Sequence, residues 1–166
     1  MLSRLYTDLC AHLSRLCLAL AVLGLIALVL CVQYQVVGRY VFNDTPTWAE
    51  ALALLLVLYV TAFGVAVGVR DTGHIGLESL VVLLPDVWRT RVALLGHVLV
   101  GVFGALMVYG GWVWAGAKWG QTKPLLGVSE ALDYLPLMVC GVLIVMFSLE
   151  HFIALWRGEV VEPAWS

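Results

Sequence analysis

Two histidines, His97 and His151, are the residues of this chain whose type and placement could hold a cofactor. His97 lies about six residues into one long apolar run, and His151 lies about six residues before Arg157 near the end of another. If these runs are antiparallel membrane helices, both imidazoles fall at a similar depth and could be the axial ligands of a b-type haem. A neutral histidine that is hydrogen-bonded inside the bundle is the alternative for each. One hypothesis is therefore a haem-binding membrane anchor or electron-transfer subunit.

The other side chains offer little chemistry. No nucleophile elbow, phosphate loop or metal-binding motif is present, which argues against an enzyme. The net charge is −2 and there is no basic run, so no nucleic-acid partner is expected. None of the four cysteines forms a CxxC pair, and outside the haem hypothesis we expect no cofactor and no metal. We expect small, buried free thiols at Cys10, Cys17, Cys31 and Cys140.

The elements that must position these residues are membrane helices. Hydrophobic residues make up 63% of the 166-residue chain and charged residues only 12%, whereas a soluble domain is typically about a quarter charged. A run of about twenty apolar residues covers a hydrocarbon core of about 30 Å. The sequence therefore predicts an all-α membrane protein with a single domain over residues 1–166. Its four transmembrane helices are expected at about 16–38, 50–69, 91–117 and 134–156.

Two further helices are expected at the membrane surface. Residues 1–17 place leucines on one side of a helix and charged residues such as Arg4 and Arg15 on the other. This pattern predicts an N-terminal amphipathic interfacial helix before the chain turns into the membrane. The apolar run 75–84 is too short to span and predicts a short interfacial helix between spans two and three. Lys and Arg counts beside the spans, six against three, favour a cytoplasmic N-terminus and C-terminus.

The predicted spans carry no Asp, Glu, Lys or Arg near their middle. Transporters that move ions or substrates by themselves normally place polar groups or broken helices at the membrane midplane. A self-contained secondary transporter is therefore not expected.

The connector at residues 35–50, between spans one and two, is the most distinctive polar segment. Arg39 ends the first span and Glu50 begins the second, which predicts an ion pair that ties the hairpin together. The alternative is an Arg39 that snorkels to the interface and a Glu50 that favours the positive end of its helix. Tyr40 and Trp48 are typical of the aromatic belt at a membrane interface.

Span two contains Gly64 and Gly68, a GxxxG spacing. This spacing lets a second helix backbone approach closely, either within the bundle or from another chain. A bundle that self-associates through these glycines is a further hypothesis, and it predicts a homo-oligomer without another partner.

Three short patterns in order resemble the small membrane subunit, of the DctQ type, of tripartite ATP-independent periplasmic (TRAP) transporters. An RY-x-F segment, a W-x-E segment and an R…HI segment follow one another at about the spacing of that family. In this chain they are Arg39, Tyr40 and Phe42, then Trp48 and Glu50, then Arg70, His74 and Ile75. The chain departs from the family at Ala51, where many members carry a second acidic or bulkier residue, so no functional acid is expected there.

The resemblance implies a division of labour. A large membrane subunit, of the DctM type, would carry the substrate and the coupling sodium ions, and a periplasmic substrate-binding protein would deliver an organic acid. This chain would be a non-catalytic subunit of the bacterial inner membrane that scaffolds the large subunit and helps to dock the binding protein. The motif residues, with Gly64 and Gly68, are then candidates for partner contact or helix anchoring. Because the sequence ends at Ser166, the large subunit is expected to be a separate polypeptide.

Overall fold

The computed structural model describes residues 2–44, 46–71 and 86–157 of the chain. In chain order the helices are α1 (Leu2–Val41), α2 (Thr47–Asp71), α3 (Asp86–Lys118) and α4 (Leu135–Arg157), and a 3-10 helix, Glu130–Asp133, precedes α4. Four helical segments are long and apolar enough to cross a membrane. Within these ranges the only pairing of the β type is a single isolated bridge. The predicted all-α fold with four membrane-length helices is confirmed.

Helix α4 is the central element of the bundle. It packs against α3 on one side and α2 on the other, and α1 packs mainly against α2. In the described part of the chain, α1 and α3 do not contact each other. Large apolar faces of these two outer helices are therefore left for lipid or for another protein.

The close contact between α3 and α4 depends on glycines. A Cβ atom on Gly141 would lie 2.6 Å from the carbonyl oxygen of Gly104 and 2.9 Å from the backbone nitrogen of Val108. Small residues at such crossings let two membrane helices approach until their backbones touch. The GxxxG pair of α2 is placed differently, because a Cβ atom on Gly64 or on Gly68 would meet no described atom within 4 Å. The bundle therefore does not use the GxxxG spacing for its own packing.

Helix α1 departs from the prediction of a separate N-terminal interfacial helix. It is one continuous helix of 40 residues, and residues 2–17 contain no glycine or proline that would break it. The residues that this segment turns toward the bundle are mostly small or polar, namely Tyr6, Cys10, Ser14 and Cys17, together with Leu13. The leucines Leu5, Leu9 and Leu16 are exposed instead. The second predicted interfacial helix, 75–84, lies outside the described residues.

The cysteines behave as small apolar side chains. Cys10, Cys17 and Cys140 are free thiols in the core, together with Ile144 and Phe147. Their predicted burial is confirmed. The remaining thiol, Cys31, is half-buried and lies 3.4 Å from the carbonyl oxygen of Ala49, so it joins α1 to the first turn of α2.

Candidate functional site

A buried ionic cluster at the end of α2 joins this helix to α4. The Arg70 side chain is 1% exposed and lies between Glu150 of α4 and the neighbouring Asp71. Its guanidinium donates two hydrogen bonds to Glu150, from Nε to Oε2 at 3.0 Å and from Nη2 to Oε1 at 3.1 Å. A third bond runs from Nη1 to Oδ1 of Asp71 at 3.1 Å. A bidentate, charge-assisted pair of this kind fixes the distance and the relative orientation of the guanidinium and the carboxylate. It therefore restricts how α2 and α4 pack at this point.

His151 extends the cluster to α3. Its Nε2 atom lies 2.8 Å from the backbone carbonyl oxygen of Arg70. Since a carbonyl oxygen can only accept a hydrogen bond, Nε2 carries the hydrogen. The imidazole of His151 stacks on that of His97, with ring centroids 4.9 Å apart and planes inclined by 4°.

Helix α1 contributes polar contacts to the same region, through Tyr6 and Ser14. The Tyr6 hydroxyl donates to the carbonyl oxygen of Met146 at 2.8 Å. The Ser14 hydroxyl, which is fully buried, lies 3.5 Å from each carboxylate oxygen of Asp71. All four helices therefore contribute to one polar region inside an otherwise apolar bundle.

The arrangement acts by holding helices in register. Removing a carboxylate or a guanidinium from water costs several kcal/mol per ion, and this cost is offset only when the groups are paired with good geometry. Arg70 engages both carboxylates, which satisfies that condition within the chain. Over the described ranges, no group of three or more His, Cys, Asp or Glu residues is arranged to hold a metal ion.

Sequence reasoning placed the residues of the cluster only in part. The sequence predicted subunit contact or helix-end anchoring for Arg70. The structure encloses this side chain within the bundle. His74 lies outside the described residues. The sequence did indicate that Glu150 lies near the interface or faces the bundle, because the uncharged run before it, residues 134–149, is short for a membrane span. Its partner was not predicted, since Arg70 is 80 residues away.

The two histidines come together, but not as haem ligands. Axial ligation requires a ring nitrogen of each histidine to point at one iron from opposite sides of the flat macrocycle. Here the rings lie face to face at 4.9 Å, and Nε2 of His151 is directed at the carbonyl of Arg70. No macrocycle can lie between two rings in this arrangement. The residues present do not fit a haem.

The connector between α1 and α2 is a tight turn built on Gly38. Its carbonyl oxygen accepts backbone hydrogen bonds from Phe42 at 3.2 Å and Asp44 at 3.0 Å. Asn43 has a φ of 51°, in the left-handed region that asparagine tolerates better than most residues. A Cβ atom on Gly38 would lie 2.9 Å from the carbonyl oxygen of Asp44 and 3.3 Å from Cδ of Pro46. The glycine is therefore required by the turn.

Replacing Gly38 with alanine should loosen this connector. The added methyl meets a backbone oxygen, so the turn has to open, at an expected cost of about 1 kcal/mol. Faster protease cleavage between α1 and α2 in the purified protein would report the change. Gly120→Ala is a matched control in the other connector on this side, because a Cβ atom there would meet nothing within 4 Å. Equal cleavage of both variants would contradict this account.

The predicted ion pair between Arg39 and Glu50 is not formed. Both residues are exposed, and the ion pairs found in the described part of the chain do not include them. Tyr40 and Phe42 are 80% and 73% exposed. The connector consequently presents two aromatic rings and two unlike charges at its surface.

The remaining predicted contact residues lie on α2. Trp48 packs on Tyr34 of α1, with ring centroids 5.9 Å apart, which supports the hairpin. Gly64 is exposed and Gly68 is half-buried, and a Cβ atom on either glycine would meet no described atom within 4 Å.

The connector between α3 and α4 is more ordered than a simple polar loop. Thr122 and Ser129 form the isolated β-bridge, and the Ser129 hydroxyl caps the 3-10 helix. Two partly exposed ion pairs close the loop, from Lys118 to Glu130 at 3.1 Å and from Lys123 to Asp133 at 2.7 Å. These contacts hold the connector in a defined conformation, so the surface that it presents is ordered.

Four membrane-length helices that are joined at one end by a buried ionic cluster define a multi-pass helical membrane protein. Residues 28–158 match the family described as "Tripartite ATP-independent periplasmic transporters, DctQ component". The chain belongs to this family, the small permease subunits of TRAP transporters of the inner membrane. The resemblance inferred from the three short motifs is confirmed.

Named relatives agree with this assignment. The sialic acid TRAP transporter small permease protein SiaQ of Vibrio cholerae is 29% identical over 134 residues, which cover 79% of this chain and 76% of the relative. The C4-dicarboxylate TRAP transporter small permease protein DctQ of Vibrio cholerae is 29% identical over 86 residues, 52% of this chain and 37% of the relative. The sialic acid TRAP transporter permease protein SiaT of Haemophilus influenzae is 37% identical over 73 residues, which are 42% of this chain but 12% of that protein.

Proposed function

We propose that the protein is the non-catalytic small subunit of a secondary active TRAP transporter and that it scaffolds a large transport subunit in the membrane. One observation carries the proposal: the charges lie at the ends of the spans, where Arg70 pairs with both Asp71 and Glu150, and no Asp, Glu, Lys or Arg lies near the middle of any span. Such a bundle has no polar path for a substrate. Its exposed apolar faces are suited to lateral packing.

The transported substrate belongs, on this proposal, to the organic acids. The relatives named for a substrate are named for sialic acid and for a C4-dicarboxylate, both of which carry carboxylate groups. Carboxylate recognition and sodium coupling would lie in the large subunit.

The outer connectors are proposed as contacts for the periplasmic substrate-binding protein. Aromatic residues and arginine are enriched at the centres of protein interfaces, and Arg39, Tyr40 and Phe42 are exposed together after Gly38. The ordered connector 118–133 lies at the same end of the bundle as this turn, since Arg70 near the end of α2 pairs with Glu150 near the end of α4, which places the starts of these two helices at the opposite end from the pair. The proposed orientation is N-terminus and C-terminus in the cytoplasm, which follows the bias of Lys and Arg.

Affinity purification from native membranes tests the assembly. The chain, tagged and produced in its native host, should retain a large multi-span protein in mild detergent. Retention of the chain alone, or of a second copy only, would contradict the proposal.

Substitution of the exposed aromatic pair, Tyr40→Ser with Phe42→Ser, tests the docking role. Uptake at a limiting concentration of binding protein should fall by about tenfold, because two central interface rings contribute roughly 1.4 kcal/mol or more. Arg39→Ala and Glu50→Ala should each weaken uptake less, since they make no ion pair that supports the fold. Trp156→Ser is the control, an 81% exposed ring at the opposite end of the bundle. Unchanged uptake and unchanged complex yield in all the connector variants would contradict docking there.

A further inference from the structure

The first turns of α1 connect the first helix of the chain to the last. Tyr6, Cys10 and Ser14 recur at four-residue intervals, so they lie on one side of the helix. Cys10 and Ser14 are fully buried, and the Tyr6 hydroxyl donates to the carbonyl oxygen of Met146 on α4 at 2.8 Å. We call residues 6–14 the α1 cover. This segment reaches α4, whereas the remainder of α1 packs mainly against α2.

Two residues of the α1 cover reach the ionic cluster. The Ser14 hydroxyl lies 3.5 Å from each carboxylate oxygen of Asp71. The Cys10 thiol, one turn earlier, lies near the charged groups of both Glu150 and Arg70. The α1 cover therefore extends over the cluster from one carboxylate to the other.

The burial of the cluster determines how strongly its charges interact. The side chains of Arg70 and Glu150 are 1% exposed, although each lies near the end of its helix. Opposite charges attract each other much more strongly away from water than at a hydrated surface, where an ion pair contributes little to stability. Water that entered beside the pair would therefore weaken it.

We infer that the α1 cover is a conformational device that seals the pair of Arg70 and Glu150 against water, so that closure of the cover and the strength of the pair are coupled. Its inner side suits this role. The small side chains of Cys10 and Ser14 let the backbone of α1 approach the cluster, and the hydroxyl of Tyr6 fastens the segment to α4. Because the cover and the pair both belong to this chain, their coupling does not depend on a large subunit.

Combined substitutions test the coupling. Cys10→Phe puts a large ring at a fully buried position and should lift the cover, because the packed interior has no space for it. Arg70→Met should then lower the midpoint of thermal unfolding by at most about half as much as it does in the unsubstituted chain. Leu9→Phe, at a neighbouring position that is 51% exposed, is the matched background and should leave the effect of Arg70→Met unchanged. Equal effects of Arg70→Met in all three backgrounds would overturn the inference.

Thiol labelling provides a second measurement without a bulky residue. Tyr6→Phe removes only the hydroxyl that fastens the cover to α4. Reaction of Cys10 with a maleimide, followed by peptide mass spectrometry, should become about fivefold faster, as expected when one hydrogen bond no longer opposes local opening.

The control thiol is Cys17, which is 3% exposed on the same helix beyond the cover. Its labelling rate should not change in Tyr6→Phe. The control variant is Tyr109→Phe, at a tyrosine of α3 that is 70% exposed, and it should label like the unsubstituted chain. No acceleration at Cys10, or the same acceleration at Cys17, would overturn the inference.

Discussion

Replacing Arg70 with methionine is expected to lower the free energy of unfolding of the purified chain by about 3–5 kcal/mol. The substitution fills a similar volume but leaves the carboxylates of Asp71 and Glu150 buried without their cation, and both side chains are only 1% exposed. Most of this loss in free energy comes from leaving the two carboxylates buried without a counter-charge, and not from the lost attraction between Arg70 and the carboxylates alone. Thermal unfolding in mild detergent, followed by the fluorescence of the seven tryptophans, measures the loss.

Conservative variants separate the charge from the geometry of this cluster. Arg70→Lys keeps the positive charge but cannot form the two-pronged contact with Glu150, so its loss should be intermediate. Lys118→Ala is the matched control for removal of one ion pair. Its side chain is 30% exposed and that of Glu130 is 34% exposed, and such pairs contribute about 0–1 kcal/mol. A stability of Arg70→Met close to that of the unsubstituted protein would show that the cluster does not hold the helices together.

Replacing Gly141 with alanine is expected to destabilise the isolated chain by about 2–3 kcal/mol, near the upper end of the range for overpacking. The added methyl would lie 2.6 Å from the Gly104 carbonyl oxygen and 2.9 Å from the Val108 nitrogen. Both of these atoms belong to the backbone of α3, so no side-chain rotation can relieve the clash. The two helices must move apart, and the contacts along their interface weaken. Size-exclusion chromatography after heating would report the lower stability.

The glycines of the GxxxG spacing are the control for Gly141. A methyl on Gly64 or Gly68 meets no described atom within 4 Å. Since alanine favours a helix over glycine by about 1 kcal/mol, Gly64→Ala should be neutral or stabilising in the isolated chain. If Gly64→Ala proved as harmful as Gly141→Ala, the packing described here would be contradicted. Harm that appears only in the assembled transporter would instead point to a partner helix on α2.

The helices could be predicted from local sequence, whereas their pairing could not. A span such as the run between Glu50 and Arg70 is recognised because its length and lack of charge are properties of the segment itself. Which of its faces is buried depends on other helices. Gly64 and Gly68 carry the motif associated with close packing, yet Gly104 and Gly141 make the close contact. Any small residue permits a close approach, and only the partner surface decides whether one occurs.

For the polar residues, too, local sequence did not predict which side chains meet. Arg39 and Glu50 are close in sequence and of opposite charge, but the turn at Gly38 leaves both exposed and unpaired. Arg70 and Glu150 are 80 residues apart and form a buried pair. Proximity along the chain does not by itself decide ion pairing. Lys123 and Asp133, 10 residues apart, do pair, whereas Arg39 and Glu50 do not, because the geometry of a connector decides which side chains meet.

A four-span membrane protein of the DctQ family could be predicted from the sequence, since hydrocarbon thickness sets the length of each span and the three motifs resemble those of the family. Only the tertiary structure showed that Arg70, Asp71 and Glu150 form one internal cluster and that α1 is unbroken. The physical reason is that in a membrane the lipid and the protein interior are both apolar, so a sequence pattern does not distinguish a face turned inward from one turned outward.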